Sequence, residues 1–313
     1  MGPKVLKNGL NSKPRMQPAR AVRAGMGTCA AETGPETRYG APMLPRLVVI
    51  GFGNVGHALV HGAIASGIAA PSEIGAIDTE PARLKQAREM GLRAADGQAL
   101  AEAEMVVLAV KPQSFASVLP TIGTVAASGP LVVSVMAGVG SAAIRAQLGG
   151  SARVIRAMPN TPAEVRRGIT AIASDSGLGE ADVARAEQLF ASVGATVRVP
   201  EHLFDAVTAV SGSGPAFLFR FLEAWTYAAE EIGLPPETAR ALARETLVGA
   251  AMLLDKTNEE PEVLRAKVTS KGGTTAAGLT RLDDASSRAG GLDALLLETL
   301  KAARDRGAEL GRS

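Results

Sequence analysis

A chain of 313 residues with 46% hydrophobic and only 3% aromatic side chains has apolar material for two domain cores and too few aromatic faces to stack single-stranded nucleic acid. Its formal net charge of +2 is uneven: residues 1–45 hold 7 Lys/Arg and 2 Asp/Glu, leaving 26 basic against 29 acidic side chains in the remainder, which excludes a polyanion-binding body. One cysteine, Cys29, excludes an internal disulfide framework and fits a reducing, cytoplasmic location, and no apolar run approaches the ~18 residues that span a bilayer.

The first 31 residues contain six Lys/Arg and no Asp or Glu, a superficial likeness to an organelle transit peptide. A single serine, Ser12, and the lack of an amphipathic period favour a disordered extension over 1–45, or an upstream start with the working one at Met43. From Arg46 onwards short apolar runs alternate with Ala-rich helical patterns: "RLVVI" (46–50), "EIGAI" (73–77), "MVVLAV" (105–110), "LVVSV" (131–135) and "RVIRAM" (153–158). Continuous rather than alternating apolar strands are buried on both faces, so this pattern predicts a doubly wound α/β domain with a parallel sheet and crossover helices over 46–202. "GITAIA" (168–173) and "ATVRVP" (195–200) are its expected last strands.

After about Leu203 the strand signal stops, and an all-helical domain is expected over 203–313. "FLFRFLEAWTYAAEEIG" (217–233) ends at Gly233, and Pro235-Pro236 stops that helix and opens the next, "PETARALARETLVGAAMLLD" (236–255). A final helix is expected in "GGLDALLLETLKAARDRGAEL" (290–310). The long apolar stripes exceed what one layer on the sheet would bury, so a subunit interface is expected.

The first strand runs into "GFGNVG", Gly51 to Gly56, and then into a helical run. In that strand–turn–helix context Gly51 makes the tight turn, Gly53 admits a pyrophosphate to the backbone and Gly56 lets helix and strand pack closely, so a dinucleotide is the expected cofactor. Asp78 ends the second strand 22 residues after Gly56, where an acid accepts from a ribose hydroxyl; Asp78-Thr79-Glu80-Pro81 also reads as a helix start. His57 and His61, four apart, have metal-ligand spacing, but His202 is the only other histidine, and the ligand count favours helix-surface residues. "SGSGPAF" (211–217) reads either as small residues that permit close packing or as backbone that approaches a ligand. "VTSKGGTTAAG" (268–278) is poor helix interior, and suits a turn that offers N–H groups and threonine hydroxyls to an anion.

Four segments, "AVKPQ" (109–113), "RVIRAMPNTPA" (153–163), "DAVTAVSGSGPAF" (205–217) and "KVTSKGGTTAAGL" (267–279), give residues 46–310 a close resemblance to pyrroline-5-carboxylate reductase. The resemblance implies hydride transfer from NADPH or NADH to the C=N carbon of a cyclic imino acid, giving L-proline, the last step of proline biosynthesis. It also implies interleaved homodimers, assembling up to decamers, with each active site built from two chains. For the cofactor it implies Gly51, Phe52, Gly53, Asn54, Val55 and Gly56 at the pyrophosphate, Asp78, Thr79 and Asp96 at the adenosine end, Val110, Lys111 and Pro112 beside it, and Ala137 and Asn160 toward the nicotinamide. For the substrate it implies Gly272, Gly273 and Thr274 at the carboxylate, Thr275 as the catalytic hydrogen-bond partner of the ring nitrogen, and Glu201 as a weaker candidate near that nitrogen.

The chain departs from the family pattern at Lys271, usually proline, and at Phe217, usually tyrosine. Thr79, between Asp78 and Glu80, stands where relatives that bind NADPH often offer arginine or serine, Asp96 stands where they offer asparagine, and no arginine accompanies these carboxylates. Carboxylates oppose a 2′-phosphate of nearly two negative charges, so weak discrimination or a lean to NADH is expected. Two other readings compete: a reductase of another cyclic imine or ketone on this scaffold, and a dinucleotide-binding regulatory module without turnover. The intact GGTT turn argues against the first, and intact "SGSGPA" and "TSKGGTT" against the second.

Overall fold

The computed structural model describes residues 46–94, 102–126, 129–173, 176–284, 286 and 290–311; the extension over 1–45 and Asp96 lie outside them. Eight strands form one sheet: β1 (Leu47–Ile50), β2 (Ile74–Ile77), β3 (Arg93–Ala94), β4 (Met105–Leu108), β5 (Leu131–Ser134), β6 (Arg153–Met158), β7 (Gly168–Ala173) and β8 (Gly194–Val199). Their spatial order is β3-β2-β1-β4-β5-β6-β7-β8. The continuous apolar runs are buried throughout β1, β4 and β5, because helices cover both faces. On one face α1 (Asn54–Ala65), α2 (Pro81–Glu89) and α5 (Glu180–Ala191) pack on Leu47, Val49 and Val107. On the other, α3 (Phe115–Ala126) and α4 (Ser141–Gln147) pack on Val48, Ile50 and Val106.

Two features differ from the all-parallel expectation. The sheet gains the two-residue strand β3, whose polar Arg93 gives no apolar run to read. More consequentially, β7 runs antiparallel to β6, whereas β8 is again parallel to β7. The reason is length: residues 159–167 hold only a 3₁₀ turn, Thr161–Val165, too little for a crossover, whereas α5 lies between β7 and β8.

Beyond Val199 every described element is helical: a 3₁₀ turn at Glu201–Leu203, α6 (Phe204–Val207), a π-helical turn at Thr208–Gly212, α7 (Gly214–Glu231), α8 (Pro236–Thr257), α9 (Pro261–Lys267), α10 (Thr274–Leu282) and α11 (Gly291–Leu310). Proline stands in the first turn of α7, α8 and α9, where its missing N–H is no loss. Gly233 (φ +103°) ends α7, its N–H bonding Glu230 C=O while that of Leu234 bonds Ala229 C=O, the Schellman arrangement. The final helix expected over 290–310 is α11, and two shorter ones, α9 and α10, precede it where Pro261 and Gly272-Gly273 restart the chain. Leu218, Phe219, Phe221 and Trp225 of α7 and Met252, Leu253 and Leu254 of α8 are exposed.

Candidate active site at the carboxyl ends of the strands

Strands β2, β1, β4, β5 and β6 are in register along the row Ile77, Ile50, Leu108, Ser134 and Arg156. Residues that follow them therefore emerge together on one edge, where β1 has neighbours whose helices go to opposite faces, the crevice that binds ligands in such sheets. This edge brings together Gly51–Gly56, Asp78 and Thr79, Val110–Pro112, Ala137 and, just past β6, Asn160.

Gly51 has φ +96°, and a Cβ there would stand 2.5 Å from Ala109 O and 2.9 Å from Val110 N. Glycine is thus required both for the turn and for the approach of the loop after β4. At Gly56 a Cβ would lie 2.1 Å from Gly51 O, so only glycine lets α1 start this close to the strand end. The first ladder bond of α1 runs from His57 N–H to Gly53 C=O at 2.8 Å, which leaves the N–H groups of exposed Asn54, half-buried Val55 and Gly56 aimed out of the helix end, suited to an anion. Phe52 is buried and packs edge-on against His57. A pyrophosphate fits this cradle, because its walls are backbone donors and absent side chains.

The N-cap of α2 is Glu80 and not Asp78, whose carboxylate instead accepts from two backbone N–H groups. Asp78 Oδ2 accepts from Phe52 N–H at 2.7 Å and its Oδ1 from Glu80 N–H at 2.8 Å, so it ties the glycine turn to the start of α2. The expectation of no arginine nearby is corrected: Arg83, in the first turn of α2, folds back to within 3.4 Å of Asp78 Oδ2 and 2.9 Å of Glu80 Oε2. Helix geometry put it there, since residues three apart share a face, and the Glu80–Arg83 spacing was the missed signal. Thr79 is exposed on the same turn.

Glu201 sits at the start of the 3₁₀ turn after β8 and is held by three donors. Ser141 gives N–H at 2.7 Å and Oγ at 2.5 Å, and Arg156 gives Nη1 at 3.2 Å. The arginine is buried and lies 4.8 Å over the Phe204 ring. Glu201 thereby anchors the end of the loop that carries exposed Ala137; Ser141 and Arg156 are partners that the sequence reading did not single out. The Asn160 side chain accepts from Ile169 N–H at 2.9 Å, bracing the β6–β7 turn. At Gly212 a Cβ would meet Met158 Cε at 3.0 Å, so close packing has a contact of its own in the SGSGPAF stretch.

The substrate candidates stand elsewhere in the chain. Gly272 has φ +72°, Gly273 is the N-cap of α10, and Thr274 and Thr275 open that helix. Its ladder begins with Ala277 N–H on Gly273 C=O, so the N–H groups of Thr274, Thr275 and Ala276 face out of the helix end, whereas that of Gly273 bonds Ser270 C=O. Thr274 and Thr275 are exposed. Among the described residues no hydrogen bond joins this turn to the glycine loop; α10 packs on α11. His57 and His61 stack on each other, 6.3 Å between centroids. Among the described residues no three His, Cys, Asp or Glu are grouped to hold a metal, and no helix is long and apolar enough to cross a membrane.

Comparison with known proteins bears on the whole arrangement. Residues 201–310 match the family model for pyrroline-5-carboxylate reductase dimerisation, and residues 46–138 match that for NADP oxidoreductase, coenzyme F420-dependent. The chain is 39% identical to pyrroline-5-carboxylate reductase of Pseudomonas aeruginosa over 85% of this chain and 97% of that protein. It is 38% identical to that of Methanosarcina acetivorans over 84% and 97%. The solved pyrroline-5-carboxylate reductase of Coxiella burnetii superposes with a TM-score of 0.78 at 34% identity, covering 85% of this chain and 98% of that one. The Plasmodium falciparum pyrroline carboxylate reductase, solved with NADP bound, gives 0.71 at 25% identity over 87% and 100%. With near-complete coverage at this identity, across both the sheet and the helices, the chain belongs to the pyrroline-5-carboxylate reductase family.

Proposed function

We propose that the crevice edge of one subunit and the Gly272–Thr275 turn of a second form the site in which this enzyme reduces 1-pyrroline-5-carboxylate to L-proline. The reduced nicotinamide supplies the hydride that goes to the C=N carbon; the ring nitrogen gains a proton, and the imine becomes a secondary amine. The outward N–H groups of Asn54, Val55 and Gly56 hold the pyrophosphate, with Gly51, Phe52 and Gly53 shaping the turn. Val110, Lys111 and Pro112 flank the cofactor, and Ala137 and Asn160 border the nicotinamide. The turn at Gly272, Gly273 and Thr274 seats the substrate carboxylate, with the outward N–H of Thr274 as a donor, and the Thr275 hydroxyl bonds the ring nitrogen. Glu201 acts through Ser141 on the loop before α4.

The observation that carries this reading is the exposed helix-start turn of Gly272–Thr275, an anion seat on a chain whose crevice is already shaped for a dinucleotide. Exposed Phe219, Phe221, Leu253 and Leu296 support burial against a second copy, and hence at least a homodimer. The sheet part over 46–202 carries the coenzyme and the helical part over 203–313 carries the substrate turn and the subunit interface in this scheme. The test is initial rate with pyrroline-5-carboxylate, NADPH and NADH side by side. Loss of reduced-coenzyme absorbance matched by proline is expected; binding of coenzyme without turnover would turn the reading to another imine or ketone.

A further inference from the structure

The proposed coenzyme reading leaves open what distinguishes the two dinucleotides, and the Arg83 guanidinium occupies the position to do so. An ideal Cβ on Gly53 would stand 3.2 Å from Arg83 Nη1, so this cation lies over the turn assigned to the pyrophosphate. It also walls a groove of about 440 Å³ that Phe52, Asn54, His57 and Gln86 line with it. Two carboxylates hold it, but unequally. Asp78 is 6% exposed, with its oxygens already taken by the N–H groups of Phe52 and Glu80; it is a fixed part of the turn. Glu80 is 56% exposed, and its hold on Arg83 is the 2.9 Å contact to Nε.

We infer that Glu80 and Arg83 form an exchangeable pair that sets coenzyme preference in this chain. A 2′-phosphate displaces the Glu80 carboxylate and takes the planar guanidinium, which suits phosphate geometry. A coenzyme with a free 2′-hydroxyl leaves the pair intact and donates to Glu80. Because the same cation serves a carboxylate in one case and a phosphate in the other, both coenzymes bind. Their ratio is set by how strongly Glu80 competes.

The test is calorimetric titration of the full chain with NADP⁺ and NAD⁺, so that binding is read apart from turnover. Arg83→Gln should weaken NADP⁺ binding about tenfold and leave NAD⁺ within about twofold, the loss of one charge-assisted contact. Glu80→Gln, which removes the competitor but keeps the shape, should strengthen NADP⁺ binding several-fold with no such gain for NAD⁺. Equal weakening of both coenzymes in Arg83→Gln, with Glu80→Gln like the parent, would make the pair a brace of α2 and overturn the inference. An unchanged ratio in both variants would overturn it as well. If the parent bound neither dinucleotide, the coenzyme reading itself would fall, an outcome distinct from both.

Discussion

At Gly56 one added methyl would stand 2.1 Å from a backbone oxygen and 3.1 Å from Val49 Cγ1. Gly56→Ala should therefore cost about 1–3 kcal/mol of stability through overpacking and weaken dinucleotide binding, because α1 can relieve the contact only by moving its N–H groups. Urea melts and coenzyme titration read the two effects; a variant that melts like the parent and binds as tightly would contradict this account of the cradle. Thr275 makes the opposite case. Its side chain is exposed and opens α10 without a capping hydrogen bond, so Thr275→Val should leave the melt unchanged while kcat falls roughly tenfold to a hundredfold, the range of a hydrogen bond to a charged group. An unchanged kcat would remove the hydroxyl from the reaction.

Glu201, Ser141 and Arg156 join a 3₁₀ turn, a helix start and a buried strand. Glu201→Ala strands the Arg156 guanidinium, whose side chain is only 8% exposed, and should destabilise the fold by about 3 kcal/mol, as when one partner of a buried pair is removed. A melt within about 0.5 kcal/mol of the parent, the range of ordinary surface changes, would contradict the anchoring role. Arg198 of β8 shows the exposed counterpart, bonded to Glu180 and Glu187 of α5. The hydrogen bond from Arg198 holds the Glu180 carboxyl below its usual range. A carboxyl depressed in the fold contributes stability above its unfolded pKa and loses it as pH falls through the folded one. The small gap in stability between the parent and Arg198→Gln should therefore narrow on acidification and with added salt.

Most of these elements could be read from residue order, because doubly buried strands leave continuous apolar runs and helix ends leave proline and glycine. β7 turned antiparallel for a reason that lies in the length of 159–167 and not in its own apolar pattern. Arg83 and the Ser141–Glu201–Arg156 cluster were out of reach for another reason: their partners are set by tertiary approach, and only the i,i+3 spacing of Glu80 and Arg83 hinted at one of them. The glycine cradle was accessible because a required absence of side chain appears directly in the residue string.

For the whole molecule the central fact is separation: among the described residues of one chain the crevice edge and the Gly272–Thr275 turn make no hydrogen bond with each other, while α7 and α8 leave Phe219, Phe221 and Leu253 exposed. Leu253→Glu should place a charge in the face that a second copy covers, giving smaller particles by light scattering and loss of turnover with coenzyme binding retained. Retained turnover in a monomer would mean that one chain suffices.

The most direct test of the shared site is the rate with pyrroline-5-carboxylate in a mixture of two impaired variants, Gly53→Asp and Thr275→Ala, refolded or co-expressed together. Gly53 has backbone that any residue adopts, and the close neighbour of a Cβ there is the far end of the Arg83 side chain at 3.2 Å, which can turn aside, so aspartate repels the pyrophosphate while the turn keeps its backbone. If each site takes its crevice from one subunit and its turn from the other, half the sites in every mixed dimer are intact. Random pairing then restores roughly a quarter of the parent rate, as two-fold symmetry requires. A mixture that stays at the background of its two components would contradict the shared site, and a parent with no rate on this substrate would contradict the reaction itself.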